Sequence, residues 1–180
     1  MDEITKLTKK LQREIALNRD FISQEEVVLL SFVHTWQHLD RLGKRFFPRF
    51  GLSDAQFNVL MILWDYHETG MRQHELASIL MVNRASIGGV IDRMEKQQWV
   101  RRQRDPVDRR SNYVHITPAG IALLEKVRPA YYALFSDAFA HLNSNQQQDL
   151  LKLLERFRQG ILPINKRLKE DNKEDNHEPG

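Results

Sequence analysis

The chain has 180 residues, 41% of them hydrophobic and 28% charged, which fits one globular domain with or without extensions and argues against disorder. It contains no cysteine, so thiol nucleophiles, disulfides, cysteine zinc sites and cysteine redox switches within the chain are excluded. The net charge of +3 is unevenly placed: Arg84 to Arg110 hold eight Lys/Arg against four Asp/Glu, a local +4 that leaves the remainder at −1. A segment of this kind is either a polyanion-binding surface or a solvated charged face.

The start, MDEITKLTKK, is charged and lacks the apolar stretch of a signal peptide, and no later run approaches the length of a membrane span. A cytoplasmic protein with no membrane partner is expected. Residues 1–20 carry Ile4, Leu7, Leu11 and Ile15 at helical spacing, an amphipathic extension whose narrow apolar stripe needs a partner. Residues 22–47 continue with Leu29, Phe32, Val33, Trp36, Leu39 and Phe46 along one face, before Pro48 and Gly51 break the helix.

Ser53 and Gln56 form a capping-box pattern that opens a helix running to about Tyr66, with Leu52 and Phe57 at staple positions. Val59, Leu60, Leu63 and Trp64 are its expected core residues. A turn around Gly70 precedes a short helix at about 73–80. Asn83 is the next N-cap, and the helix from 84 to 97 places Ile87, Val90, Ile91 and Met94 inward. Trp99-Val100 and Tyr113–Ile116 read as two strands joined by the turn-forming Asp105-Pro106-Val107-Asp108. Thr117-Pro118 starts a helix to about 141 that Pro129 should kink. Asn143 caps a last helix that Pro163 should end or bend. The polar stretch from about Asn165 is expected to be disordered.

Two helices joined by the short turn Met81-Val82, then a basic hairpin, make the pattern of a winged helix-turn-helix. The expected fold is mainly α, with a small β-hairpin wing and helices flanking it on both sides. The second helix of the pair is sized for the major groove of double-stranded DNA. Ala85, Gly89 and Lys96 lie close to its outward side, flanked by Asp92 and Arg93. Small residues at i and i+4 let a backbone approach a surface, and Arg93 and Lys96 can hold phosphates. Gly88-Gly89 in mid-helix costs on the order of 1 kcal/mol per glycine, for DNA approach, for close packing inside the domain, or as a weak helix that is simply tolerated. The wing carries Arg101, Arg102 and Arg104 on one strand and Arg109-Arg110 at the tip, where an arginine can enter the minor groove. Asp105 and Asp108 act on the loop itself, by turn hydrogen bonds or by orienting an arginine.

Glu75-Leu76-Ala77, Ile91–Glu95, Asp105–Arg110 and Ile116-Thr-Pro-Ala-Gly120 stand in an order and spacing that resembles the MarR (multiple-antibiotic-resistance regulator) family over roughly residues 30–160. The wing signature D-x-R followed at this distance by T-x-x-G carries the resemblance. It implies a homodimeric transcriptional regulator, a repressor, that grips a pseudo-palindromic site and is released by a small aromatic, phenolic or anionic effector. It implies dimerisation through residues 21–50 and 118–164 around a DNA-binding lobe at 51–117, with 165–180 as a tail. The extension 1–20 then joins the dimer interface or covers the effector pocket. Carried over by position, Arg110 is the minor-groove arginine with Asp108 its partner, beside Arg109 and Arg104. Asn83, Arg84, Ala85, Ser86, Gly88 and Gly89 occupy the groove-facing part of the recognition helix. Arg72 departs from the family's usual Ser or Thr cap, and Gly88-Gly89 from its usual polar residues, so specificity leans on Arg84, Ser86, the wing and DNA shape.

Trp36, His38, Phe57, Met61 and Trp64 either line an effector pocket or are plain core. His34 and His38 at i, i+4 suit a shared metal, against ordinary exposed or interface histidines, and neither metal nor cofactor is assigned. The competing readings are an architectural DNA binder, a winged helix used for protein contact, and an enzyme. No phosphate loop, nucleophile motif or HExxH supports the last.

Overall fold

A computed structural model describes residues 2–104 and 112–174. In chain order the elements are α1 (Glu3–Glu14), α2 (Gln24–Phe46) with a 3-10 turn (Phe47–Phe50), α3 (Asp54–Asp65), β1 (Met71–Arg72), α4 (Gln73–Ile79), α5 (Arg84–Lys96), β2 (Val100–Arg104), β3 (Asn112–Ile116), α6 (Pro118–Phe139) and α7 (Ser144–Glu174). The strands form an antiparallel sheet in the order β1-β3-β2, with Val100 opposite Ile116 and Arg104 opposite Asn112. This is the winged helix-turn-helix that the sequence predicts. The chain divides into two compact units, Met1–Val127 and Arg128–Gly180.

Side-chain caps open most of the helices. The Ser53 hydroxyl accepts the Gln56 N–H at 3.3 Å, and the Gln56 side chain accepts the Ser53 N–H at 2.8 Å. Asn143 and Gln146 make the same reciprocal pair at the start of α7. Each satisfies amides that a helix start leaves without partners. Between α1 and α2, Glu26 takes both terminal nitrogens of Arg19 and the Ile22 N–H. The Arg19 guanidinium, then the Ile22 amide, hold its carboxyl at about 2.

The helix ends are less conventional. Four closures share one backbone pattern, in which a residue in the left-handed region bonds three residues back and its successor bonds five back. They centre on Ala16, Gly51, Met81 and Gln98. Glycine fills one of the four, so the usual glycine signal marks one helix end and misses three.

The core of the first unit is built from Phe57, Leu60, Leu63, Leu76, Ile87, Ile91, Met94, Val100, Val114, Leu124 and Val127. It gathers α3, α4 and α5 against the sheet. Gly70 has φ 66° and leaves no room for a Cβ beside the His115 ring and the Val114 carbonyl, so β1 can lie against β3. The sequence reads this place as a turn alone, because two residues are too few to show alternation. At the other end of the lobe the Thr117 hydroxyl donates to the Gln98 carbonyl at 2.5 Å and accepts the Gly120 N–H at 3.1 Å. The Thr117 N–H reaches the Trp99 carbonyl at 3.0 Å. The start of α6 is thereby tied to the end of α5. Gly120, Leu124 and Val127 of α6 are buried within the first unit, which ends at Val127.

Both internal prolines sit in unbroken helices. α6 runs through Pro129, and α7 runs through Pro163 to Glu174. The expected disorder from 165 is corrected for residues 165–174, which are helical; residues 175–180 lie outside the described residues. Each proline removes one N–H, and the carbonyls it leaves, of Glu125 and Gln159, belong to exposed residues that water can serve. Beyond Pro163, NKRLKED supplies good helix formers with opposite charges four residues apart. No described helix is long and apolar enough to cross a membrane.

Candidate nucleic-acid interface

The helix pair is held by its own termini. Glu75 accepts the Arg72 N–H at 2.9 Å, one half of a capping box, while the Arg72 guanidinium lies 5.2 Å from the centre of the Tyr113 ring. The side chain that replaces the expected Ser or Thr cap is thus placed over the sheet. α4 closes on Met81, and α5 begins at once: the Asn83 side-chain oxygen accepts the Ser86 N–H at 2.8 Å. Asn83 therefore positions the helix with its oxygen and keeps its amide donors. Ile87, Val90, Ile91 and Met94 point into the core as predicted.

Arg84, Ala85, Ser86, Arg93 and Lys96 are exposed, and Gly88 and Gly89 are half-buried. A Cβ on Gly88 would meet the Gln73 Nε2 at 3.5 Å, and one on Gly89 would meet an Arg93 terminal nitrogen at 3.7 Å. Both are ordinary van der Waals distances, and neither residue has a left-handed backbone. Packing within the chain does not require these glycines.

Arg102 serves the fold of this site. Its guanidinium pairs with Asp92 at 2.6 Å and Glu95 at 2.8 Å and reaches the Gly88 carbonyl at 3.4 Å. Its own N–H donates to Glu95 at 2.9 Å. One arginine of the basic cluster thus pins the wing strand to α5, which also accounts for the acidic Asp92 beside a helix side proposed to face DNA. The signal was legible as an i, i+3 carboxylate pair, but nothing in the spacing paired it with Arg102. Arg101 and Arg104 stay exposed on β2. His115, opposite Arg101, has its pKa lowered by burial and by the arginine's charge, which favours the neutral ring. Asp108, Arg109 and Arg110 lie outside the described residues.

The residues named for an effector pocket differ in burial. Phe57 is fully buried, its ring centre 4.9 Å from that of Phe47, so it is core. Met61 and Trp64 are half-buried on α3, while Trp36 and His38 are exposed on α2. The His38 and His34 Nε2 atoms are 3.2 Å apart, and Glu14 lies 3.7 Å from His34. Among the described residues no group of three or more His, Asp or Glu is arranged to hold a metal. α2 also leaves Val28, Leu29, Phe32 and Leu39 at least 40% exposed, as does α7 at Leu151, Leu153, Phe157 and Leu162. Both helices lie in the stretches that the family resemblance assigns to dimerisation.

Residues 52–112 match the family model described as the MarR family. A transcriptional repressor of the HTH type from Bacillus subtilis, YetL, is 25% identical over 71% of this chain and 76% of its own length. A MarR-family regulator from Streptomyces coelicolor, solved in complex with DNA, superposes with a TM-score of 0.73 at 25% identity, covering 82% of this chain and 94% of that one. The regulator BpsR from Bordetella bronchiseptica, whose DNA binding is regulated by 6-hydroxynicotinic acid, has a TM-score of 0.64 at 26% identity over 73% and 98% of the two chains.

Proposed function

Because this chain belongs to the MarR family of DNA-binding transcriptional regulators and is not an enzyme, we propose that it is a homodimeric repressor acting on a pseudo-palindromic operator. One observation carries the reading. The outward side of α5 combines exposed cations with Gly89, a mid-helix glycine that packing within the chain does not require. A helix trimmed in this way suits close approach to the floor of the major groove. Arg84 and Ser86 are the polar groups at its leading end, with Arg93 and Lys96 on phosphates. Arg110 enters the minor groove from the wing tip, oriented by Asp108, with Arg109 and Arg104 on the backbone.

The exposed apolar side chains Val28, Leu29 and Leu39 of α2, and Leu151, Leu153 and Leu162 of α7, support a second copy as their cover. Two recognition helices related by a two-fold axis then read half-sites about one helical turn apart. For release, an aromatic acid is the effector class we favour, from the regulation of BpsR by such a compound. Trp36, His38, Met61 and Trp64 are the residues we would test for it. A ligand releases DNA by binding the DNA-incompetent state more tightly. We place the protein in the cytoplasm, where its operator is.

Selection of random duplex DNA on the purified chain tests the whole reading. An enriched inverted repeat is expected. Retention with steep salt dependence and no motif would replace it with an architectural binder. On the selected duplex, Arg110→Ala should weaken binding at least tenfold. Lys96→Ala should weaken every duplex by about the same smaller factor and lower the salt slope by about one. Both are read by fluorescence anisotropy across a salt series.

A further inference from the structure

We infer that Met81, with Val82 beside it, reads the 5-methyl groups of thymine in each operator half-site. The inference rests on the DNA-binding reading above and assigns it a contact outside the recognition helix. Met81 sits in the turn between α4 and α5, two residues before the cap of the recognition helix. It is 91% exposed, the highest value among the exposed large hydrophobic residues described. Ile79 at 52% and Val82 at 42% extend the apolar surface on either side.

The turn itself does not ask for methionine. Position 81 has φ 54°, a left-handed conformation that glycine adopts freely and that bulky side chains resist. The equivalent closure after α5 uses Gln98, a polar residue that water solvates. Position 81 instead carries a long, flexible thioether into solvent, beside the N-terminus of α5. Such a side chain adapts its shape to what it meets.

What it meets follows from the chemistry of the groove. Gly88 and Gly89 leave the middle of α5 without hydrogen-bonding side chains, so polar readout there is weak. The one apolar feature that distinguishes bases in the major groove is the thymine methyl. An apolar cluster at the leading edge of a polar-poor helix is matched to it. A partner protein or a second copy of the chain would cover the same cluster without any dependence on that methyl.

The test replaces each thymine of the selected duplex with deoxyuridine, which removes the methyl and leaves base pairing intact. Wild type should lose about fourfold in affinity at one thymine or more per half-site, the value of one buried methyl group. Met81→Ala, exposed and harmless to packing, should bind the thymine and deoxyuridine duplexes equally at those positions. The inference is overturned if Met81→Ala discriminates between them as wild type does, or if wild type is insensitive to every replacement. Failure to enrich any duplex would instead remove the DNA-binding reading, and this contact with it.

Discussion

Gly120→Ala is expected to destabilise the fold by about 3–5 kcal/mol, seen as a fall of roughly 10 °C in melting temperature. A Cβ at this position would lie 2.2 Å from the Trp99 carbonyl oxygen, 3.1 Å from its carbonyl carbon and 3.0 Å from an Ile116 side-chain carbon. Two of those atoms are backbone, so no rotamer change relieves the overlap. The backbone concerned is held in place. The Trp99 N–H is bonded to Met94 at 3.0 Å, and the Trp99 carbonyl receives the Thr117 N–H at 3.0 Å. Forcing this site open separates α6 from the end of α5 and shifts the base of the wing. Gly160→Ala is the control: its Cβ meets nothing within 4 Å, and the change should be neutral or add up to about 1 kcal/mol. Differential scanning calorimetry of the two variants decides. Equal melting temperatures would mean that Trp99 and Thr117 move aside at little cost.

The Thr117–Gly120 element shows how much a sequence can say and where it stops. Its spacing from the wing signature was legible and carried the family resemblance, yet the reason for the glycine is a carbonyl oxygen from residue 99. A contact between residues 21 apart leaves no periodic trace. Helix starts were legible because Ser53, Asn83, Thr117 and Asn143 bear their capping oxygens in their own side chains. The ends of α4 and α5 were placed to within one residue, but their left-handed closures at Met81 and Gln98, like that at Ala16, were not legible because none of the three is glycine. The core face of α5 was read correctly because four apolar residues recur at helical spacing. The same rule, applied to α2, identified a face on which Leu29 and Leu39 are exposed. Periodicity reports that a face will be covered; it does not say whether the cover belongs to the same chain. Within the site, Arg102 was counted among the basic wing residues, and its pairing with Asp92 and Glu95 depended on the packing of β2 beside α5.

Gly89→Ala is expected to separate stability from binding. A methyl group here meets the Arg93 guanidinium at an ordinary 3.7 Å and nothing closer. Replacing glycine in a helix interior with alanine reduces the conformational entropy lost on folding, so the variant should be more stable by about 1 kcal/mol, or roughly 2–4 °C. The same methyl projects from the side of α5 proposed to face the groove. If the backbone approaches the bases there, the added group overpacks the interface at a cost of about 1–3 kcal/mol, a loss of roughly five- to 150-fold in affinity. Stability and affinity then move in opposite directions, which a packing role for the glycine cannot produce. Gly88→Ala gives the internal comparison, because its Cβ points toward Gln73 on α4, at 3.5 Å, and should affect binding less. Melting curves and anisotropy on the selected duplex provide both readouts. A Gly89→Ala variant that melts higher and binds as tightly as wild type would place the groove-facing side of α5 elsewhere, toward Arg84 and Ser86. A variant that melts lower would show that α5 packs at position 89 in a way that the single chain does not reveal, with the second copy of the dimer as the first place to look.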